Sequence, residues 1–241
     1  MKITQIAPHV TAISLGFVNV FLIDRGELTL IDTGTPGSAP AILNGIRAAG
    51  RQPGDLKHIL ISHLHVDHVG SAKALQAETG AQVHMHPLDA QALCAGQTMR
   101  DIEPGPGWLN RLIVPMMKHA PGSGSVESPV VDCPLEDGQV LAFAGRLQVI
   151  HAPGHTAGHT VFLLPADDAD ADAGAGAGGV LFVGDACSNM LRLAPSFLYE
   201  SYEEGRRTLS QLADLPFATA VFAHGNPMHD AARRFRKTWR D

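Results

Sequence analysis

The stretch "ISHLHVDHVG", residues 61 to 70, sets three histidines and an aspartate (His63, His65, Asp67 and His68) within six consecutive positions. An apolar run precedes it and a helix-like segment follows. Crowded imidazoles repel one another when any becomes charged, so such a cluster points to something that accepts their lone pairs, and a metal ion is the natural candidate. Two residues apart at an extended strand end, His63 and His65 can point the same way. Asp67 and His68 lie past the turn and can aim at a second point nearby, so one loop can feed two metals. Further ligands have to come from other strand ends. The candidates are His155 after "HAPG", Asp185 after "LFVG" and His224 after "VFA".

Working outward, "ITQIA", "VTAISL", "VNVFLID" and "ELTLIDTG" read as successive strands with turn residues between them. "GSAPAILNGIRAAG" reads as a helix, with Ser38 as N-cap and Gly50 as its stop. "LKHILIS" is a buried strand, "VGSAKALQAETG" a helix and "AQVHMH" a strand. After an irregular middle come the strands "GQVLAFAG", "LQVIHAP", "HTVFLLP" and "GVLFVGD", the helix "YEEGRRTLSQLADL", the strand "ATAVFAHG" and the closing helix "PMHDAARRFRKTWR". This order predicts an α/β (α+β) chain of two sheets covered by helices on their outer faces, with strand-end loops meeting at one edge.

Composition narrows the class. The 241 residues are 45% apolar and 17% charged, ordinary for a globular enzyme, and a formal charge of −6 argues against a surface built to hold a phosphate backbone. Three scattered cysteines make no disulfide framework, and no run reaches membrane-spanning length. A single domain over residues 1–241, cytoplasmic and free of membrane, is the expectation.

Two stretches stand apart. Residues 166–179, "ADDADADAGAGAGG", are small and acidic and read as a mobile loop between two strands; the alternating aspartates lack the closing glutamate of a calcium loop. Residues 95–134 are rich in Gly and Pro yet carry "GWLNRLIVPMM". No regular element accounts for that cluster, so it reads as a lid or linker over the site, with Trp108, Met116 and Met117 placed to contact an apolar acyl chain.

The ordered motifs now show a likeness. H-x-H-x-D-H at residues 63–68, "PGHTAGH" from Pro153, "GD" at Gly184–Asp185 and the late "AHGNP" resemble the metallo-β-lactamase superfamily, the αββα metallo-hydrolases, across residues 19 to 227. The resemblance implies a four-layer αββα sandwich, two mixed sheets face to face. It also implies a first metal on His63, His65 and His155, a second on Asp67, His68 and His224, and Asp185 bridging both. His159 is expected to support a ligand or to pack. Asp32 is expected beneath the metals or in turn chemistry alone, and Tyr199 and Tyr202 in packing roles. The remaining histidines carry no such assignment.

The chemistry implied is hydrolysis. Two divalent ions, zinc first and iron or manganese next, share a water and lower its pKa, and Asp67 can orient that water or shuttle its proton. Asp185 occupies the position where β-lactamases of this superfamily carry cysteine or serine, so a thioesterase or lactonase, of the glyoxalase II-like or lactonase-like kind, is expected. Two departures accompany it: "GDACSNMLRLAPSF" lacks the arginine-bearing run of glyoxalase II, and Ser188 stands where the lactonases place a tyrosine. A phosphodiesterase or nuclease of the same fold, and a non-catalytic metal-binding module, are the alternatives. The partner expected is a small molecule with an apolar acyl part rather than nucleic acid.

Overall fold

The computed structural model describes residues 2–117, 126–166 and 178–240. The Ala/Asp/Gly stretch expected to be a mobile loop lies, apart from its ends, outside the described residues. The chain opens with β1 (Lys2–Ala7), β2 (Val10–Ser14), β3 (Asn19–Ile23) and β4 (Leu28–Ile31), each antiparallel to the one before. From β4 the pairing turns parallel through β5 (Leu56–Ile61) and β6 (Gln82–Met85). β7 (Glu103–Pro104) leaves this sheet, and β8 (Cys133–Pro134) closes its edge beside β6. Parallel neighbours need crossovers, and helices supply them: α1 (Ala39–Ala48) before β5, then α2 (Val66–Val69) and α3 (Ala72–Thr79) before β6. α4 (Pro87–Cys94) and α5 (Trp108–Met117) follow.

The second sheet runs antiparallel from β9 (Val140–Leu141) through β10 (Leu147–His151) and β11 (Thr160–Leu164) to β12 (Val180–Phe182). The short strands β13 (Cys187–Ser188), β14 (Ala194–Pro195) and β15 (Leu198–Tyr199) come next. α6 (Tyr202–Leu212) then crosses to β16 (Thr219–Val221), parallel to β12, and α7 (Ala231–Trp239) closes the chain.

Alternation along the strands shows why the layers stack as they do. In β3, Val20 and Leu22 pack towards the cluster that holds Ile42 and Ile46 of α1, whereas Phe21 and Ile23 join the cluster shared with Phe162, Leu164 and Phe182 of the other sheet. In β11, Phe162 and Leu164 face the first sheet, while Val161 and Leu163 face Leu209 of α6 and Phe235 of α7. The central strands β3, β4, β11 and β12 are buried on both faces or nearly so and read as continuous apolar runs. The result is a four-layer αββα sandwich of two mixed sheets.

Several local expectations are corrected. The helix expected over residues 69–80 divides at Gly70, where a Cβ would stand 2.4 Å from both Pro36 Cδ and the Val66 carbonyl oxygen. Ser38 occupies the N-cap position of α1, but its hydroxyl caps no backbone N–H and pairs with Thr35 Oγ1 at 3.2 Å. Of the strand expected over 138–145 only Val140–Leu141 pairs; a single 3-10 turn follows at Ala142–Ala144, and Gly145 takes a left-handed conformation. The cluster at 108–117, expected to be irregular, is a helix.

Candidate metal centre

The loops after β5, β12 and β16 and the connection between β10 and β11 meet at one edge of the sandwich. They bring together every residue singled out as a ligand. His63 Nε2, His65 Nδ1 and His155 Nε2 form a triangle with sides of 3.1, 2.9 and 3.2 Å. Beside it, His224 Nε2 lies 3.3 Å from Asp67 Oδ2, and His68 Nε2 lies 3.9 Å from the same oxygen. Asp185 stands between the two groups: Oδ2 is 3.5 Å from His155 Nε2 and 3.3 Å from His224 Nε2, and Oδ1 is 3.6 Å from His68 Nε2. His63, His65, His68 and His155 are fully or nearly fully buried.

The second nitrogen of each ring tells which way its lone pair points. His155 Nδ1 donates to the Leu198 carbonyl (3.0 Å), His224 Nδ1 to the Phe17 carbonyl (2.8 Å) and His68 Nδ1 to Asp32 Oδ2 (2.9 Å). Ser62 Oγ donates to Asp32 Oδ2 (2.8 Å), which leaves it to accept from His63 Nδ1 (3.0 Å). With Nδ1 so engaged and burial keeping both rings neutral, His63 and His155 present bare Nε2 lone pairs to the centre. Protons cannot satisfy the triangle: a ring nitrogen either donates or accepts, so among three mutual neighbours at least one pair meets with like groups facing. Its edges match the spacing of imidazole nitrogens around one zinc-sized ion. His65 Nε2, His68 Nε2 and Asp185 Oδ1 are also buried without any hydrogen-bond partner. Three groups, His63/His65/His155, His63/His68/Asp185 and Asp67/His68/His224, have the geometry to hold a cation.

Charge is divided unevenly across the centre. Burial, reinforced by neighbouring imidazoles, depresses His65 to about 4 and His155 to about 3, and pushes His63 down as well. On the other side Asp185 leads in raising His224 to about 10. Burial opposes a charge on His68, but Asp185, Asp32 and Asp67 outweigh it and raise that ring well above the ordinary imidazole range. The neutral triad and the acidic group thus make unlike halves of one centre.

The supporting residues are clear. Asp32 adopts a left-handed backbone (φ 61°), which turns its carboxylate under the loop to accept from Ser62 N (2.8 Å) as well as Ser62 Oγ and His68. Thr33 Oγ1 donates to the His68 carbonyl at 2.7 Å. His159 Nε2 accepts the Asp185 backbone N–H at 3.0 Å, so His159 fixes the turn that carries Asp185. Tyr199 is buried, and its hydroxyl accepts from Ser196 N at 2.8 Å.

A cavity of about 430 Å³ opens onto the centre, walled by Phe17, Val66, Met99, Met190, Phe197 and Leu198, with no lysine or arginine in its lining. Phe17 lies parallel to the His224 ring at 5.9 Å. Trp108 and Met116 of α5 are not among the lining residues and are each 74% exposed; the Met117 side chain lies outside the described residues. Sequence reasoning missed Phe17, Met99, Met190 and Phe197, since apolar residues in separate loops carry no local sign that they converge. Among the described residues no helix is long and apolar enough to cross a membrane.

The metallo-beta-lactamase superfamily profile matches residues 13–169. The uncharacterized protein YobT of Bacillus subtilis (strain 168) is 29% identical over 228 residues, which cover 91% of this chain and 88% of that protein. A hydroxyacylglutathione hydrolase of Maricaulis maris (strain MCS10) is 26% identical over 83% of this chain; the match spans only 57% of that enzyme's length. Among solved structures, a subclass B3 metallo-beta-lactamase of Bradyrhizobium japonicum superposes with a TM-score of 0.71 at 20% identity, over 99% of this chain and 90% of the other. At that identity the likeness concerns the fold alone.

Proposed function

The chain belongs to the metallo-beta-lactamase superfamily, and from that premise we propose that it is a dinuclear metal-dependent hydrolase of an ester-like carbonyl, a thioester or a lactone with an apolar acyl part. The observation that carries this reading is the junction of a triangle of buried imidazole nitrogens, which protons cannot satisfy, with a cavity that has apolar walls and no lysine or arginine in its lining. In it, His63, His65 and His155 would hold one ion and Asp67, His68 and His224 the other, with Asp185 placed between the two groups; zinc would suit this nitrogen-rich set. A pair of divalent ions bound there supplies Lewis acidity, which acidifies a water and polarises a carbonyl oxygen.

The chain's own residues do the rest. Asp67 lines the cavity, and although burial opposes its charge, His68 and His224 hold its carboxyl at about 2; it is thus a carboxylate at neutral pH, able to accept a hydrogen bond from the attacking water and orient it. Phe17, Met99, Met190 and Phe197 grip the acyl part and keep bulk water from the reacting carbonyl. A negatively charged substituent finds no lysine or arginine in these walls. The cations of α7, Arg233, Arg234 and Lys237, line a separate surface depression, so no observation favours a phosphodiester substrate.

The test is a ladder of acyl thioesters and lactones of rising chain length, beside a bis-aryl phosphodiester. Turnover of the first two that stops on chelation is expected. Phe197→Ala and Met190→Ala should raise KM for long chains several-fold and leave short ones nearly unchanged, the mark of lost uniform binding. Trp108→Ala, outside the cavity, should change neither. Metal-loaded protein that turns over only the phosphodiester would overturn the reading.

A further inference from the structure

We propose that Asp89 is a positioning residue for the trihistidine set, its carboxylate fixing the spacing between the loop that carries His63 and His65 and the loop that carries His155. The proposal rests on the reading that these three histidines hold an ion.

Asp89 lies in the first turn of α4 with its side chain fully buried. Four donors from three segments surround it. Oδ2 accepts from Leu64 N (3.1 Å), the backbone link between His63 and His65, and from Thr156 Oγ1 (2.6 Å), the neighbour of His155. Oδ1 accepts from Gly158 N (2.9 Å) and from Arg100 Nη2. A carboxylate offers about four acceptor positions, and all are taken. The same guanidinium reaches Glu200 Oε1 through Nε (2.7 Å), and Glu200 Oε2 accepts from Ala157 N (2.8 Å). One arginine thereby joins two carboxylates that together anchor residues 156, 157 and 158.

The approach is close enough to demand glycine. A Cβ on Gly158 would stand 2.7 Å from Asp89 Cγ and Oδ1. A buried ion pair that merely neutralised Arg100 would require neither this contact nor bonds to both ligand loops. The two triangle edges that cross between those loops measure 2.9 and 3.2 Å, and ion–ligand distances tolerate only about 0.2 Å. A shift of one methylene at Asp89 is larger than that tolerance.

Zinc affinity of the full-length protein, measured by competition with a chromophoric chelator, provides the test, with the electronic spectrum of the cobalt-substituted form as a second readout. Asp89→Glu keeps the charge beside Arg100 but adds a methylene. It should weaken one zinc by about ten-fold or more, alter the cobalt bands and lower kcat with KM unchanged, while the melting temperature in chelator stays near that of the parent. Unchanged zinc affinity in Asp89→Glu would reduce Asp89 to a counter-charge for Arg100 and overturn the proposal. Should that variant fail to fold, Thr156→Val removes a single bond to the same carboxylate. It should weaken zinc a few-fold, and no effect there would also overturn the proposal. A failure of the underlying reading looks different: His63→Ala would leave the zinc stoichiometry of the parent unchanged.

Discussion

His68 shows how much one side chain is asked to do. Its Nδ1 is held by Asp32, while its Nε2 faces Asp185 and Asp67 without a hydrogen bond. His63, by contrast, lies among imidazoles on the neutral side of the centre. Removing each kind of ligand should therefore read differently in elemental analysis. His63→Ala should leave one ion per chain, because only the triangle loses a corner. Asp185→Asn should lower the affinity for both, since it withdraws a charge that reaches His155, His68 and His224 alike. Retention of both ions at parent affinity by Asp185→Asn would refute the bridging role. The residues that converge at the centre were legible in the sequence because few residue types bind metal ions and their spacing repeats strand-end geometry. Asp89 was not, because an aspartate in the first turn of a helix is common for reasons of helix dipole and capping. Only the fold reveals what donates to it.

At the scale of elements, legibility followed burial. Strands such as β5 and β11, covered on both faces, announce themselves as apolar runs. α5 did not, since it contains Pro115, and its Trp108, Leu109, Leu112 and Met116 face outward, Val114 alone being buried among its described side chains. β5 and β6 also bring two histidines together away from the metal centre. His58 Nδ1 and His84 Nε2 are 3.0 Å apart, Glu27 Oε2 is 3.2 Å from His58 Nε2, and Phe143 stacks on His58 at 3.6 Å. Burial, then the neighbouring His58, depresses His84 from 6.5 to about 4, and burial lowers His58 too. The sign follows from linkage. As pH falls below 6.5 the unfolded chain takes up protons that the folded pair refuses, so stability is lost between that value and about 4. His84 alone contributes on the order of 3 kcal/mol across the window. Urea unfolding of zinc-saturated protein at pH 7 and pH 5 should show a smaller pH-dependent loss in His84→Leu than in the parent; equal losses would exclude the pair as the source.

Seen whole, the molecule is two halves held at a seam. Phe162 and Phe182 from one sheet meet Phe21 and Leu60 from the other, so Phe162→Ala should destabilise by about 3–5 kcal/mol in denaturant unfolding while leaving zinc stoichiometry intact. The centre joins the same halves, because His63, His65, Asp67 and His68 extend from the first sheet whereas His155, Asp185 and His224 extend from the second. Ions bound there act on the folded state alone, so free zinc at a thousand times the dissociation constant should add about 4 kcal/mol and raise the melting temperature. An unchanged melting temperature on zinc addition would place the ions elsewhere. On the proposed reading, the seam would link metal supply to the lifetime of the chain. Protein stripped of its ions should open more often along the boundary between its halves, and a protease present in the same solution should degrade it faster than the loaded form.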